Sequence, residues 1–544
     1  MRNLDSLKSQ TFDLLIIGGG ITGAAIAREA ALHGYKVALV EKNDFASGTS
    51  SKSARMIHGG LRYLENYQFG MVYDASNERY YLTQMAPRLV RPLPFTFPVY
   101  KTAKLLQIRA GMWLYELLAK FRNYRFHRIL SAQEVQAKEP AIKPDHLVGA
   151  ASYYDATAND ARLTLALILA AQKLGAVASN YVEVFGFLKE NGRINGVEVK
   201  DTLSGYTFDV KARLVINASG VWADRLAQLD DASLPPRIRA NRGVHVIVSK
   251  AKLPVNSAVA FTSMDGKRAL YAMPWHNTVI IGTTDEDHGS NFDEIYATAP
   301  EVRVILEATN YAFPQAKITQ ADIISTYAGL RPLFQEVGKS AYQSSRDHHI
   351  WESAAGLISI SGGKLTTHRK MAEDLMAAAA KALPNPSHES PPSSGGRGWG
   401  LKSYQVPLIQ ADIDPDTELA ALHDHFLPRD VLEHLINSYG ADYKVILDLT
   451  IQQHFLSERI VSNLPYILAE VPYFIREEMA LTLSDVMERR THIIHEAADQ
   501  GMTTAPQVAA LMAEYLGWDA VETARQLEQY RQNVALTKRF LKEK

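Results

Sequence analysis

Leu14-Leu15-Ile16-Ile17-Gly18-Gly19-Gly20-Ile21-Thr22-Gly23 is the stretch on which the fold turns. Four consecutive apolar residues, preceded by Phe12 and Asp13, read as a buried strand. Gly18, Gly20 and Gly23 then fit the spacing G-x-G-x-x-G. That spacing lets a strand turn sharply into a helix, brings bare backbone close to a pyrophosphate and packs the helix on the sheet. A small-residue helix follows over Ala24 to Leu32, Gly34 stops it, and Val37 to Val40 is a second apolar strand. Strand, tight turn, helix and strand make a βαβ unit, so the expected fold is α/β around a parallel sheet. The free amides at the helix start would face the phosphates of a dinucleotide. Glu41 ends the second strand where a ribose-binding carboxylate belongs, and its charge disfavours a 2′-phosphate. FAD and NAD both satisfy this much.

Further along, Ala161 to Leu174 reads as a helix ending at Gly175. Val177 to Lys200 reads as a hairpin turned at Asn191-Gly192, and Leu214 to Asn217 as a short buried strand. Val244 to Ser249 and Thr278 to Gly282 also read as strands. A Pro-, Ser- and Gly-rich segment around 384–400 reads as a linker. Beyond it, from Asp416 to Leu541, the pattern is helical.

The whole chain has 544 residues, 47% of them hydrophobic, which suits a multidomain globular protein with a sizeable core. Its 58 basic and 59 acidic side chains give a formal net charge of −1, which argues against nucleic acid as the main partner. There is no cysteine, so disulfides, catalytic thiols, thiolate zinc sites and cysteine-bound iron–sulfur clusters are excluded. No metal-ligand cluster stands out. The polar start of the chain argues against a secretory signal, and no apolar run reaches the ~20 residues of a membrane span.

The next segment runs Gly48-Thr49-Ser50-Ser51-Lys52-Ser53-Ala54-Arg55-Met56-Ile57-His58-Gly59-Gly60-Leu61-Arg62-Tyr63-Leu64. Thr49, Ser50 and Ser51 offer hydroxyls and amides to pyrophosphate or ribityl oxygens. Gly59 and Gly60 let backbone approach something flat and large. Here the sequence resembles the FAD-dependent glycerol-3-phosphate dehydrogenases. The resemblance covers most of the chain. It continues through Asn217-Ala218-Ser219-Gly220 (where the family more often has Ala-Thr-Gly), Gly282-Thr283-Thr284-Asp285 and Gly329-Leu330-Arg331-Pro332-Leu333. It extends through Ser345-Arg346-Asp347, Gly362-Gly363-Lys364-Leu365-Thr366-Thr367 and Glu488-Arg489-Arg490-Thr491.

The resemblance implies non-covalent FAD, with cofactor contacts at Gly18, Gly20, Gly23, Glu41, Thr49, Ser50, Ser51, His58, Gly59, Gly60, Val182, Ser219, Gly220, Gly363, Leu365 and Thr366. It implies oxidation of sn-glycerol 3-phosphate to dihydroxyacetone phosphate, with electrons passed to a membrane quinone. Arg62, Arg331, Arg346 and Lys364 fall on matching positions, and converging cations suit a phosphate dianion. Arg62, Tyr63, Arg346 and Lys364 would hold the substrate, and Arg331 would polarise the developing oxyanion. His245 sits on the face of its strand opposite Val244 and Val246 and suits a general base. Lys364 and Gly18 are far apart in sequence but wanted at one flavin. The expected architecture is therefore a Rossmann-type FAD domain (segments about 10–75, 150–225 and 350–380) interleaved with a substrate domain on a mixed or antiparallel sheet (about 76–149 and 226–349). Together they fill 1–383, the linker is 384–400, and 401–544 is an all-helical C-terminal domain.

Lys101 to Arg128 carries seven cations against one acid, Glu116, with aromatic and aliphatic residues between them. Such a stretch can rest on an anionic bilayer, which places the protein in the cytoplasm, peripheral on the cytoplasmic face of the membrane. A homodimer stays open. The rival readings are an oxidase that gives its electrons to oxygen and a non-catalytic flavin-binding sensor.

Overall fold

The computed structural model describes residues 2–266, 268–335, 347–383, 402–408 and 413–543. Arg346 and the expected linker 384–400 lie outside them, and the side chain of Arg62 is likewise not described.

Two sheets share the first two-thirds of the chain. The first runs His348–Glu352, Ile358–Gly362, Thr207–Asn217, Thr11–Ile17, Val37–Val40, Val177–Ser179. Its centre is parallel: Thr11–Ile17 pairs in parallel with both Thr207–Asn217 and Val37–Val40, and the latter with Val177–Ser179. Strands buried on both faces explain the unbroken apolar runs, since Leu14, Ile16, Val37 and Leu39 pack on one side and Leu15, Ile17, Ala38 and Val40 on the other. The helix Ile21–Leu32 covers one face beside Asp160–Lys173 and His368–Ala379. Gly34 and Gly175, at φ +81° and +95°, end two of these helices as read from the sequence.

The expected hairpin needs one correction. Val177–Ser179 belongs to the parallel sheet, and the antiparallel pair is Val182–Glu190 with Arg193–Asp201. Its turn is at Asn191-Gly192, both with positive φ (+51° and +78°), as a tight primed turn requires. Periodicity alone cannot separate a three-residue parallel strand from the hairpin arm that follows it.

The second sheet is mostly antiparallel. Its path is Glu286–Asp287, Ile238–Ser249, Thr278–Gly282, Ala269–Trp275, Ala258–Thr262, Val90–Val99, Gly149–Ala158, Met56–Ile57. Ile323–Phe334 adds to Ile238–Ser249 over eleven register pairs, and Ala258–Thr262 joins Val90–Val99 in parallel. The sheet is therefore mixed, as expected. Val244, Val246 and Val248 face one core, and Ile247 the opposite one on the side of His245.

Helices account for most of residues 413–543, around a core built from Leu435, Ile436, Tyr439, Ile467, Phe474, Leu483 and Val508. This helical unit docks on the flavin-type sheet. Arg162 of the sheet-covering helix pairs with buried Glu478, and Arg489 and Arg490 reach Asp44.

Candidate active site

A groove of about 890 Å³ runs from the glycine turn across the junction of the two sheets. That volume lies at the upper end of what small-molecule sites enclose. At one end, Gly18 has φ +114°, and a Cβ there would lie 2.6 Å from the carbonyl oxygen of Ala218. A Cβ on Gly23 would lie 1.9 Å from the carbonyl oxygen of Gly18, so Gly23 closes the turn from behind rather than lining the groove. Gly20 is the N-cap of the helix Ile21–Leu32 and carries no side-chain cap. The Ser50 hydroxyl accepts from the Ile21 amide at 2.9 Å, tying the hydroxyl-rich segment to the helix start. Glu41 accepts from the amides of Gly19 (2.7 Å) and Asn43 (2.9 Å). Burial pushes its carboxyl up from the ordinary value, against those two hydrogen bonds.

The expected cofactor contacts converge here with two exceptions besides Gly23. Thr49, Ser50, His58, Gly60, Val182, Ser219, Gly220, Gly363, Leu365 and Thr366 all line the groove. Ser51 does not; its hydroxyl turns back to the Gly48 carbonyl at 3.5 Å. Gly59 does not either. A Cβ there would meet the Tyr115 hydroxyl at 2.2 Å, and its amide donates to Asp155. Gly59 thus makes room for buried aromatic packing, while Gly60, at φ +77°, faces the groove. The fit to FAD rests on these features. The turn has no room for a β-carbon, a helix start faces the groove, a carboxylate sits at ribose distance in sequence, and a glycine pair at the far end, Gly362-Gly363, has φ of +88° and +72°.

At the substrate end, His245 is 3% exposed, and neither ring nitrogen has a protein partner among the described residues. Its ring stacks on Tyr327 at 4.7 Å, and the Tyr327 hydroxyl donates to the carbonyl of Ser53 at 2.8 Å. Behind Tyr327 lies His495 of the helical unit, its ring 5.2 Å away. A Cβ on Gly282 would lie 2.5 Å from the His245 ring, so glycine there creates the slot for the imidazole. Burial, with the nearby Arg331 and Arg55 guanidinia, pushes the His245 imidazole down to about 3. It is neutral at pH 7, and both ring nitrogens are buried.

Arg331 is held by the Asn241 amide oxygen (2.7 Å) and the Thr283 hydroxyl (2.9 Å), with the Asp285 carboxylate 3.7 Å away. A Cβ on Gly243 would lie 2.3 Å from its terminal nitrogen. The Lys364 ammonium sits over the Tyr63 ring, 4.0 Å from its centre. His245, Arg331, Tyr63 and Lys364 all line the one groove.

The sequence reading missed Gly243, Asn241, Tyr271 and Lys52. Gly243 two residues before His245 was the available signal, since a glycine inside a strand marks close approach. Lys52 lines the groove and is half-buried, and desolvation there lowers its ammonium below the ordinary value.

Residues 13–369 match the FAD dependent oxidoreductase family, and residues 394–523 match the C-terminal domain of alpha-glycerophosphate oxidase. A glycerol-3-phosphate dehydrogenase of Synechocystis is 36% identical over 550 residues, with 97% of each chain covered. The mitochondrial glycerol-3-phosphate dehydrogenase of Mus musculus is 35% identical over 542 residues, covering 95% of this chain and 72% of that one. The crystal structure of the Bacillus halodurans glycerol-3-phosphate dehydrogenase complexed with FAD superposes with a TM-score of 0.80 at 28% identity, covering 98% of this chain and 96% of that one. A glycine turn built for a dinucleotide, a neutral imidazole with Arg331 and Lys364 in one groove, and relatives aligned over nearly the whole chain agree: this protein belongs to the FAD-dependent glycerol-3-phosphate dehydrogenase family.

Proposed function

We propose that this chain oxidises sn-glycerol 3-phosphate to dihydroxyacetone phosphate and passes the electrons to a membrane quinone. The observation that carries the chemistry is His245, a buried, unpartnered, neutral imidazole in the same groove as the glycine turn and Arg331. Bound FAD supplies the acceptor for the C2 hydride. The imidazole takes the proton of the C2 hydroxyl, so the C2–H bond breaks, the C2–O double bond forms, and no charge is left on the product oxygen. Arg331, fixed by Asn241 and Thr283, stabilises negative charge as it develops on that oxygen. Lys364 and Tyr63, with Arg62 and Arg346, hold the phosphate dianion and the remaining hydroxyl. The dianion offsets the field of Arg331 and so raises the basicity of His245 in the complex, which favours proton transfer.

The quinone half of the proposal is supported by one surface. On the helix Thr102–Leu118 and the segment after it, Lys101, Lys104, Arg109, Lys120, Arg122, Arg125 and Arg128 are all exposed. Trp113, Leu117, Phe121, Tyr124 and Phe126 are each more than half exposed between them. The one acid of the stretch is absent from this face: Glu116 is buried, accepting from Asn123 and the His127 amide. A face of cations and aromatics suits an anionic bilayer surface. Among the described residues no helix is long and apolar enough to cross a membrane. The same reading places the protein in the cytoplasm, peripheral on the membrane, and divides the chain into 1–383, a linker at 384–400 and 401–544.

The test is anaerobic mixing of the purified flavoprotein with sn-glycerol 3-phosphate, followed by absorbance near 450 nm. Rapid bleaching, with reoxidation by a soluble quinone analogue faster than by air, is expected. No bleaching overturns the substrate. The match of residues 394–523 to an oxidase's C-terminal domain favours oxygen as the second acceptor to test; stoichiometric peroxide under air would assign it.

A further inference from the structure

The helical unit reaches the Glu41 end of the groove through buried charges. Glu41, Lys42, Asn43 and Ser47 line that groove, and Asp44, in the middle of the loop, does not. Asp44 is buried beneath them at 1% exposure. Two consecutive arginines of the helical unit grip it. Arg490 makes a two-pronged contact, at 2.8 and 3.0 Å, and Arg489 Nε donates at 2.6 Å. Neighbouring residues of an ordinary helix point in different directions. Here Asp485–Arg490 is wound as a π-helix, and its wider turn brings both side chains to one carboxylate.

The grip extends to the other side of Glu41. Asn180 donates to Asp44 (3.1 Å) and to the carbonyl of Met479 (2.9 Å), and the Tyr181 hydroxyl donates to Asp485 (2.7 Å). The next residue, Val182, lines the groove, and its amide donates to the Glu41 carbonyl at 2.8 Å. Arg489 also reaches Asp485 at 2.6 Å, and Arg490 reaches Glu478, which Arg162 holds from the sheet side. With Glu488 3.3 Å from Arg489, four carboxylates meet three guanidinia in a largely buried network.

We propose that Arg489 and Arg490 are a clamp through which docking of the helical unit sets the affinity for FAD, by fixing the loop from Glu41 to Ser47 through Asp44. They are positioning residues, since neither lines the groove. The proposal rests on the reading that Glu41 faces the adenosine ribose.

The test is FAD retention by the holoenzyme on dilution, read as the rise of free-flavin fluorescence, alongside circular dichroism and the thermal midpoint. The double variant R489Q/R490Q is expected to stay folded and to release FAD at least tenfold more readily. D44N, which keeps the shape and removes the carboxylate that both arginines hold, is expected to loosen FAD several-fold. E496Q weakens a different docking contact, the carboxylate that accepts from Trp275 (2.9 Å) and pairs with His276 (3.2 Å), and is expected to leave FAD retention within twofold. Unchanged retention in folded R489Q/R490Q overturns the clamp. If the double variant does not fold, unchanged retention in D44N overturns it instead. Equal loosening in E496Q also overturns it, because retention would then follow docking stability in general. Glu41→Gln separates the two readings. If it leaves retention unchanged, the ribose placement fails; if it loosens FAD while D44N does not, the clamp alone fails.

Discussion

Replacement of His245 by Asn tests the chemistry most directly. The imidazole has no protein partner at either nitrogen, so its loss breaks no hydrogen bond within the described residues. The smaller amide leaves space against Tyr327 and Gly282, a packing loss of about 1–2 kcal/mol, which a native state of about 5–15 kcal/mol withstands. The flavin spectrum is therefore expected to persist. The reductive rate is expected to fall about 10²- to 10⁴-fold, the range for loss of a positioned general base, or about 3–5 kcal/mol on the barrier at about 1.36 kcal/mol per tenfold. The assay is anaerobic stopped-flow at 450 nm with saturating substrate, so that the phosphate's own ionisation near pH 6 enters affinity rather than the limiting rate. The wild-type pH profile gives a second readout. A base must be unprotonated, and burial together with Arg331 and Arg55 lowers this one to about 3, against about 6.5 for an ordinary imidazole. Lowering the pKa of a base moves its acid limb to lower pH. The limiting rate reports the complex, where the dianion offsets the Arg331 contribution but not the burial, so it should hold through pH 6.5 and fall below it. A folded, flavin-bound H245N that reduces within threefold of wild type refutes His245 as base. A wild-type acid limb at 6.5 refutes the burial argument.

Gly23→Ala should abolish FAD binding, because its Cβ would sit 1.9 Å from the Gly18 carbonyl oxygen, which a flexible side chain could not relieve; the flavin-to-protein absorbance ratio checks this. Replacing Lys120, Arg122 and Arg125 by Gln should weaken binding to anionic liposomes about 100-fold, at about 1 kcal/mol per cation, with turnover on a soluble acceptor unchanged; cosedimentation measures it. Stability should fall in acid. His245, His368, His492 and His495 are each lowered, first by burial, to about 3 for His245 and His495 and about 4 for His368. Their contribution is complete above about pH 6.5 and is lost as pH falls towards the folded values, costing about 2 kcal/mol per histidine at pH 5. The thermal midpoint between pH 5 and 8 would show the decline, and a flat profile would refute it.

The glycine turn, the strand before it and the helix after it were legible in the sequence because each depends on residues within a few positions. A positive φ at Gly18 and a 1.9 Å approach at Gly23 are local demands that only glycine meets. The Asn191-Gly192 turn was legible for the same reason, whereas Val177–Ser179 was merged with its neighbour because three residues carry no period. Composition alone excluded thiol chemistry and argued against a nucleic-acid partner.

Tertiary structure decided which charges matter. Glu116, the one acid of Lys101 to Arg128, is buried, so the exposed charges of that stretch are all cationic. Ser51 and Gly59 carried the right residue types for the flavin but do not line the groove, since a loop's sequence does not say which of its sides faces it. Arg331 has its reach fixed by Asn241, ninety residues earlier, and Asp44 meets Arg490 across 446 residues. Periodicity and spacing report what neighbours along the chain do to the backbone. Side chains brought together by sheet register and domain docking leave no such trace, because the free energy that joins them is gained only when distant surfaces lose their water together.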